Sequence, residues 1–394
     1  MTTSLWLVAT KRMPEKLYWL PILLSSLCLV YSFTLMGIHV VGSDVSTEHY
    51  ASYTILQEGY WDITRHYETP ATIINGWLVP ELSKLLHIEV VWIYKAVLPI
   101  FLAASPLIIF FAYNKFLSAD KSFYATSLFI ITPPFMLELV AIGKTMVAVF
   151  FFSLFLLSMF SSMSTFKKTV AMSICTISAA ISHYTVGAII IIFLVAILTF
   201  RIASHLLDKL AKVHWKLNWK TSMLSMVVTC LVLVAAFVGF YSINNEGRIT
   251  TKVVQIVHNN LPIDENLDTE EAKAQLEPAT QLALGMDFFQ ASVLEKIFRL
   301  LQLAVQALII IGFAYLAYPI IRYKENSNIP TEVIVCAGAI LVMFAACIMI
   351  PKLSRTMNIT RLYQYGLVFL SPMFVTGIEK VTTSLRGSLV EKFH

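Results

Sequence analysis

Long apolar runs, separated by short charged segments, dominate this chain. A run of about 20 apolar residues can cross the hydrocarbon core of a bilayer as a helix, whereas a membrane β-barrel shows alternating segments of about ten residues. The chain has the helical pattern, with ten predicted spans: 17–41, 89–113, 122–138, 142–163, 169–182, 184–204, 221–243, 297–320, 331–350 and 360–378. We therefore expect an all-α polytopic membrane protein in which residues 1–394 form a single integral membrane domain.

The composition supports this expectation. Of the 394 residues, 57% are hydrophobic and 13% are charged, against about 25% charged residues in soluble domains. This balance excludes an ordinary cytosolic enzyme and a disordered chain, because disorder requires low hydrophobicity and high charge. The net charge of +5 does not indicate a nucleic-acid partner here, since the charges flank membrane spans. The five cysteines lie inside apolar runs, without metal or redox spacing, and predict small membrane-buried side chains.

The basic residues predict the orientation. With ten spans and a cytoplasmic N-terminus, 17 of the 29 Lys and Arg residues fall in short inner connections, as the positive-inside rule requires. Two spans that meet at His183, rather than one long helix, keep segment 201–220 inside, where its helical Lys spacing predicts an amphipathic helix on the inner leaflet. We expect an inner-membrane protein with both termini in the cytoplasm.

Two external loops, 42–88 and 244–296, are too long to be simple connectors. The second carries nine acidic residues against four basic ones, and we expect it to have a function or a structure of its own. The first carries Asp44 and Glu48, which share one helix face because they are four residues apart. Carboxylates at this low-dielectric boundary suit a general base, although helix capping also explains them.

Several aromatic and basic residues are predicted to lie outside as well. The aromatic residues after Glu48 form either an interfacial belt or a platform for sugar rings or an isoprenoid chain. Basic residues outside oppose the positive-inside rule, and a lipid phosphate would explain them, as would snorkelling to headgroups. The residues predicted to bind the lipid phosphate, or the molecule that carries it, are Lys144, His183, Arg248, Lys352, Arg355 and Arg361.

An acidic pair just after the first span, followed by a long external loop, resembles the GT-C superfamily of membrane glycosyltransferases. The motifs Gly42–Tyr50, Glu58–Asp62, Ser182–Tyr184 and Arg361–Gly366 resemble a prokaryotic GT-C-like membrane family. The resemblance implies an inverting transferase that moves a sugar from a polyprenyl-phosphate carrier to a cell-surface glycan, lipid or protein. Asp44 would be the base, with Glu48 as its partner or substitute. Whether this pair binds a Mg²⁺ or Mn²⁺ ion is left open. The predicted substrate-binding residues are His49, Tyr60, Trp61, Tyr184 and Tyr365.

Two other functions stay open. An O-antigen polymerase or ligase would use a diphosphate-linked oligosaccharide and would depend on the external arginines more than on the carboxylates. A lipid or solute transporter would place ionisable residues near the membrane midplane, whereas the middles of these spans are nearly free of charge.

Overall fold

The computed structural model describes residues 1–63, 72–211, 217–244, 292–322, 327–349 and 358–392. All regular structure in these ranges is helical, as the apolar pattern predicts. The α-helices in these ranges are α1 (Thr2–Ala9), α2 (Trp19–Thr34), α3 (Ser43–Glu58), α4 (Val79–Leu86), α5 (Val90–Trp92), α6 (Leu98–Tyr113), α7 (Ala119–Ile131), α8 (Pro133–Leu137), α9 (Gly143–Phe160), α10 (Thr165–Ser182), α11 (Tyr184–Ala211), α12 (Met223–Ile243), α13 (Val293–Arg322), α14 (Thr331–Met349) and α15 (Ile359–Lys392). Two π-helical turns, Ile74–Leu78 and Ile93–Val97, precede α4 and α6.

Seven stretches within the described residues are helical, long and apolar enough to cross a membrane. They are Glu15–Thr34, Val90–Tyr113, Gly143–Phe160, Tyr184–Leu210, Met223–Ile243, Val293–Arg322 and Thr331–Met349. Each of the ten predicted spans contains a helix, but the number that cross the membrane stays a prediction. The predicted span 122–138 is divided at Thr132, which adopts an extended conformation (φ −72°, ψ 133°). The proline that follows disfavours helical geometry at this residue.

The chain forms two compact units. The first comprises Met1–Thr199 and Lys220–Gln255, and the second comprises Phe200–Trp219 and Ile256–His394. In the first unit, α6 packs against α2 and α9, and α10 packs against α9 and α12. In the second unit, α13 packs closely along α15. All five cysteines are free thiols.

The helix break predicted at His183 is confirmed. Helix α10 ends at Ser182, His183 is extended (φ −150°, ψ 116°), and α11 begins at Tyr184. The predicted amphipathic segment 201–220 has a different form in the part that is described. Residues 201–211 continue α11 and residues 217–220 are not helical, while 212–216 lie outside the described residues.

Close helix contacts in the second unit depend on glycine. A Cβ atom at Gly312 would meet the carbonyl oxygen of Met373, and one at Gly377 would meet that of Leu308. Small residues at such positions let two helix backbones approach each other, as is common between membrane helices. The side-chain oxygen of Asn358 accepts a hydrogen bond from the Arg361 N–H (3.3 Å), so that Asn358 caps α15.

Candidate functional site

Helix α3, the first after α2, is fixed at its N-terminus against the start of α9. Gly42 has a positive φ of 127°, and a Cβ atom there would lie 2.9 Å from the Cβ of Ala141. Only glycine therefore fits this approach. The Val45 N–H then donates to the Ala141 carbonyl oxygen at 3.0 Å, which ties the first turn of α3 to the residues that precede α9.

Helix α3 buries one face. Val45, Glu48, Ser52 and Ile55 have 4%, 0%, 0% and 6% of their surface exposed, and their spacing of three and four residues places them on one side. Three are small or apolar, but Glu48 is an acid with no contact with solvent. A buried carboxylate requires a counter-charge and hydrogen-bond donors.

Both requirements are met at the start of α9. The Oε1 atom of Glu48 lies 3.4 Å from the Nζ atom of Lys144, and its Oε2 atom accepts a hydrogen bond from the Lys144 N–H at 3.3 Å. The carboxylate thus caps the N-terminus of α9, where a helix presents unpaired N–H groups and a positive dipole end. Burial raises the pKa of Glu48 above its ordinary value, although Lys144 and the N–H groups of α9 oppose this rise.

Asp44 lies one helical turn before Glu48, in the first turn of α3, and is partly exposed. The structure thus gives the two predicted carboxylates different surroundings. Glu48 is enclosed and ion-paired, whereas the side chain of Asp44 reaches the surface of the first unit.

Below α3 lies a polar network that no sequence motif indicated. The Ser52 hydroxyl donates to the Asn75 carbonyl oxygen, the Tyr94 hydroxyl donates to the Asn75 side-chain oxygen, and the two hydroxyls are also in contact, each at 2.9 Å. Asn75 and Tyr94 lie on the two π-helical turns, a geometry often found at functional sites. These two side chains meet beside Ser52 of α3.

The predicted substrate-binding aromatics of α3 and its loop differ in exposure. The His49 ring is stacked on Tyr53 (centroids 6.5 Å apart) and lies edge-on to Tyr94 (6.0 Å). Burial lowers the pKa of His49, and the nearby His39 lowers it further, so both effects favour the neutral imidazole. Tyr60 is exposed, while the Trp61 ring occupies the space where a Cβ atom at Gly76 would stand.

His183 and Tyr184 form a second aromatic group. The His183 ring is buried and stacks on Tyr184 at 5.2 Å, and Tyr184 meets the ring of Tyr241 edge-on at 6.2 Å. The Tyr241 hydroxyl donates to the Ala180 carbonyl oxygen at 2.8 Å, which closes the group around the helix break.

The remaining predicted residues belong to α15 or lie outside the described residues. Arg361 is partly exposed in the first turn of α15, and Tyr365 is buried one turn later. Arg248, Lys352 and Arg355 lie outside the described residues, as does most of loop 244–296. Within the described part of the chain, no group of three or more His, Cys, Asp or Glu side chains could hold a metal ion.

Lys95 is a functional candidate that the sequence analysis missed. Its side chain is 2% exposed, and its Nζ atom donates to the carbonyl oxygens of Gly37 (2.8 Å) and His39 (3.1 Å). It therefore holds the segment that joins α2 to α3. Its position in the sequence could have indicated it. Lys95 lies near the predicted outer end of the apolar run 89–113, where the positive-inside rule disfavours a cation.

Two solved structures are similar to this chain. The apo Archaeoglobus fulgidus oligosaccharyltransferase is similar over 96% of this chain and 52% of its own, with a TM-score of 0.51 and 12% sequence identity. The chain thus spans about half the length of that protein. ArnT from Cupriavidus metallidurans, bound to undecaprenyl phosphate, is similar over 93% of this chain and 78% of its own, with a TM-score of 0.44 and 13% identity.

The first likeness confirms the GT-C-like membrane fold that the motifs predict. With the seven candidate spans, it makes the chain a multi-pass membrane protein. No curated protein matches the sequence. A family model described as a predicted membrane protein (DUF2206) matches residues 168–394, more than half of the chain, and the chain therefore belongs to this family.

Proposed function

We propose that this protein is an inverting GT-C glycosyltransferase that moves a sugar from a polyprenyl-phosphate carrier to an acceptor outside the membrane. The observation that carries the proposal is the placement of Asp44. It is a partly exposed carboxylate in the first turn of α3, on a helix that Val45 and Glu48 tie to α9. A fixed, accessible carboxylate after the first span, in a chain with a GT-C-like fold, is what general-base catalysis of glycosyl transfer requires.

In the proposed step, Asp44 accepts the proton of an acceptor hydroxyl. The hydroxyl oxygen attacks the anomeric carbon from the face opposite the phosphate and forms the new glycosidic bond. The bond from the anomeric carbon to the phosphate oxygen breaks, and its electron pair leaves with polyprenyl phosphate. His49 on its aromatic support, with Tyr60, Trp61 and Tyr184, would contact the sugar or the isoprenoid chain.

Cations near the leaving phosphate would offset its growing negative charge. Lys144 pairs with the buried carboxylate of Glu48 instead, so the proposed step does not use it as a phosphate ligand. For His183, Arg361 and the three basic residues outside the described ranges, phosphate binding stays a prediction from the sequence. The proposal includes an inner-membrane location of a prokaryotic cell, with α3 on the external side.

The test is turnover by purified protein in detergent or nanodiscs. Synthetic polyprenyl-phosphate glucose, mannose and galactose are offered with sugar, lipid and peptide hydroxyl acceptors, and the anomeric configuration of the product is read by NMR. We expect consumption of at least one donor with inversion, and a loss of about 100-fold or more in Asp44→Asn, the usual scale for a removed general base.

The matched control is Glu81→Gln on α4. Glu81 is a half-exposed acid in the same predicted loop, ion-paired with Lys84 at 3.0 Å, and its variant should keep full turnover. The proposal fails if no donor is consumed, if the product retains its configuration, or if Asp44→Asn is as active as Glu81→Gln.

A further inference from the structure

Glu48 and Lys144 form a buried ion pair that the proposed step does not use. Their side chains are 1% and 11% exposed, and the Glu48 carboxylate also accepts the Lys144 N–H. Gly143 closes the space around them, since a Cβ atom there would lie 2.9 Å from Glu48 Oε2 and 2.5 Å from Tyr94 Cε1. Among the described residues, this carboxylate is therefore enclosed by its neighbours and not exposed to solvent.

The pair also ties α3 to α9, and a backbone hydrogen bond lies beside it. Val45 binds the Ala141 carbonyl oxygen, and Glu48, three residues later, binds the first turn of α9. Asp44 directly precedes the first tie and lies one turn before the second. A shift of the first turn of α3 relative to α9 would therefore displace the Asp44 carboxylate, and a displacement of about 1 Å can cost a catalytic group about 100-fold in rate.

We infer that Glu48 is a positioning residue: with Lys144 it fixes Asp44 against α9, and it does not itself exchange a proton with the acceptor. As far as it concerns a reaction, this inference rests on the proposed function. The ion pair has a structural consequence that does not depend on any substrate, namely the fixed exposure of position 44.

The discriminating experiment is a cycle of Glu48→Gln, Lys144→Met and the double variant. Lys144→Met leaves a buried carboxylate without its counter-charge, which would push α3 away from α9. Adding Glu48→Gln removes that charge, so activity should return. We expect kcat to fall about 10- to 100-fold in Lys144→Met with little change in KM, and to recover to within about threefold in the double variant.

Two further readouts separate positioning from proton transfer. If Asp44 is the base, the acidic limb of the pH–rate profile persists in the double variant and disappears in Asp44→Asn. Lys144→Arg keeps the cation and should keep kcat. Since Lys144→Arg retains the pair, it also allows a decision if Glu48→Gln alone fails to fold.

A second arm needs no substrate. Asp44→Cys is introduced into three backgrounds: the otherwise wild-type protein, Lys144→Met, and the double variant of Lys144→Met with Glu48→Gln. The rate at which a membrane-impermeant maleimide labels the new cysteine is measured in each. The protein without Asp44→Cys serves as the blank for the five native thiols. We expect at least a threefold change in labelling rate in Lys144→Met and its reversal when Glu48→Gln is added. Glu81→Gln with Lys84→Met, an exposed ion pair on α4, should change nothing.

The inference is overturned if adding Glu48→Gln to Lys144→Met abolishes activity as Asp44→Asn does, because Glu48 would then act on the substrate directly. It is also overturned if Lys144→Met leaves both kcat and the labelling rate unchanged. If the wild-type protein consumes no donor, the proposed function fails alone, and the labelling cycle still decides whether the pair fixes position 44.

Discussion

The carboxylate of Glu48 and the ammonium group of Lys144 lie 3.4 Å apart, although 96 positions separate the two residues in the sequence. The pair joins α3 to the N-terminus of α9. It also gives Asp44 and Glu48 different surroundings, because Glu48 is buried and ion-paired, whereas Asp44 is partly exposed.

The ion pair predicts a pH-dependent cost of removing Lys144. Burial raises the pKa of Glu48 above its ordinary value of 4.5, and Lys144 counteracts part of that rise. An acid with a raised pKa in the folded state binds more protons when folded, so its ionisation lowers stability as the pH rises through that raised pKa. Without Lys144 the pKa rises further and the cost increases.

We therefore expect Lys144→Met to have nearly wild-type stability near pH 4.5 and to lose about 3 kcal/mol by neutral pH, the scale of a broken buried pair. Thermal unfolding in one detergent from pH 4.5 to 8 measures the difference. A deficit that stays constant or shrinks as the pH rises would contradict the prediction, and the double variant with Glu48→Gln should show no such pH dependence.

Gly143 is predicted to tolerate no side chain. Its Cβ atom would collide with Glu48 and Tyr94, both of which are buried, so Gly143→Ala should cost about 1–3 kcal/mol, as overpacking does. Gly239 on α12 is the matched control, because no atom of the described residues lies within 4 Å of its Cβ position. There, alanine should be neutral or stabilising, since it favours a helix over glycine. Equal melting temperatures for the two variants would refute this prediction.

The network beneath α3 predicts a cost for removing one hydroxyl. Tyr94→Phe would remove the hydroxyl that donates to the Asn75 side-chain oxygen and contacts the Ser52 hydroxyl, each at 2.9 Å. We expect a loss of about 1–3 kcal/mol, because two buried hydrogen bonds of about 0.5–1.5 kcal/mol each are removed. Tyr50→Phe, at a tyrosine that is 70% exposed, removes the same atom from the surface and should leave the melting temperature unchanged. A neutral Tyr94→Phe would show that the network does not stabilise the site.

Lys95 is predicted to hold the segment before α3. Lys95→Met keeps the length of the side chain but removes the donors to Gly37 and His39. We expect a loss of about 1–3 kcal/mol, because a hydrogen bond from a charged donor contributes on that scale, together with faster proteolysis between α2 and α3. Lys84→Met on α4 is the exposed control. If proteolysis occurs at the same rate in both variants, Lys95 does not hold this segment.

Local periodicity explains how much of the fold the sequence could predict. Apolar runs predict the helices, and charge placement predicts the break at His183. Spacing places Asp44 and Glu48 on one helix. Each of these depends on residues within a few turns of one another, and hydropathy and helix geometry report such short-range relations. The roles of the external cations in phosphate binding depend on a ligand, and they stay predictions.

The sequence by itself determined that this protein lies in a membrane, that it is helical, and which fold it resembles. Only the tertiary structure decided that Asp44 is more accessible than Glu48 and that Glu48 is the anion that Lys144 faces. It also decided which buried polar side chains support the site, namely Ser52, Asn75, Tyr94 and Lys95. The physical reason is that burial and ion pairing arise from contacts between segments far apart in the chain. The contact between Glu48 and Lys144 is invisible to any window of hydropathy, yet it sets the electrostatic surroundings of the predicted catalytic helix.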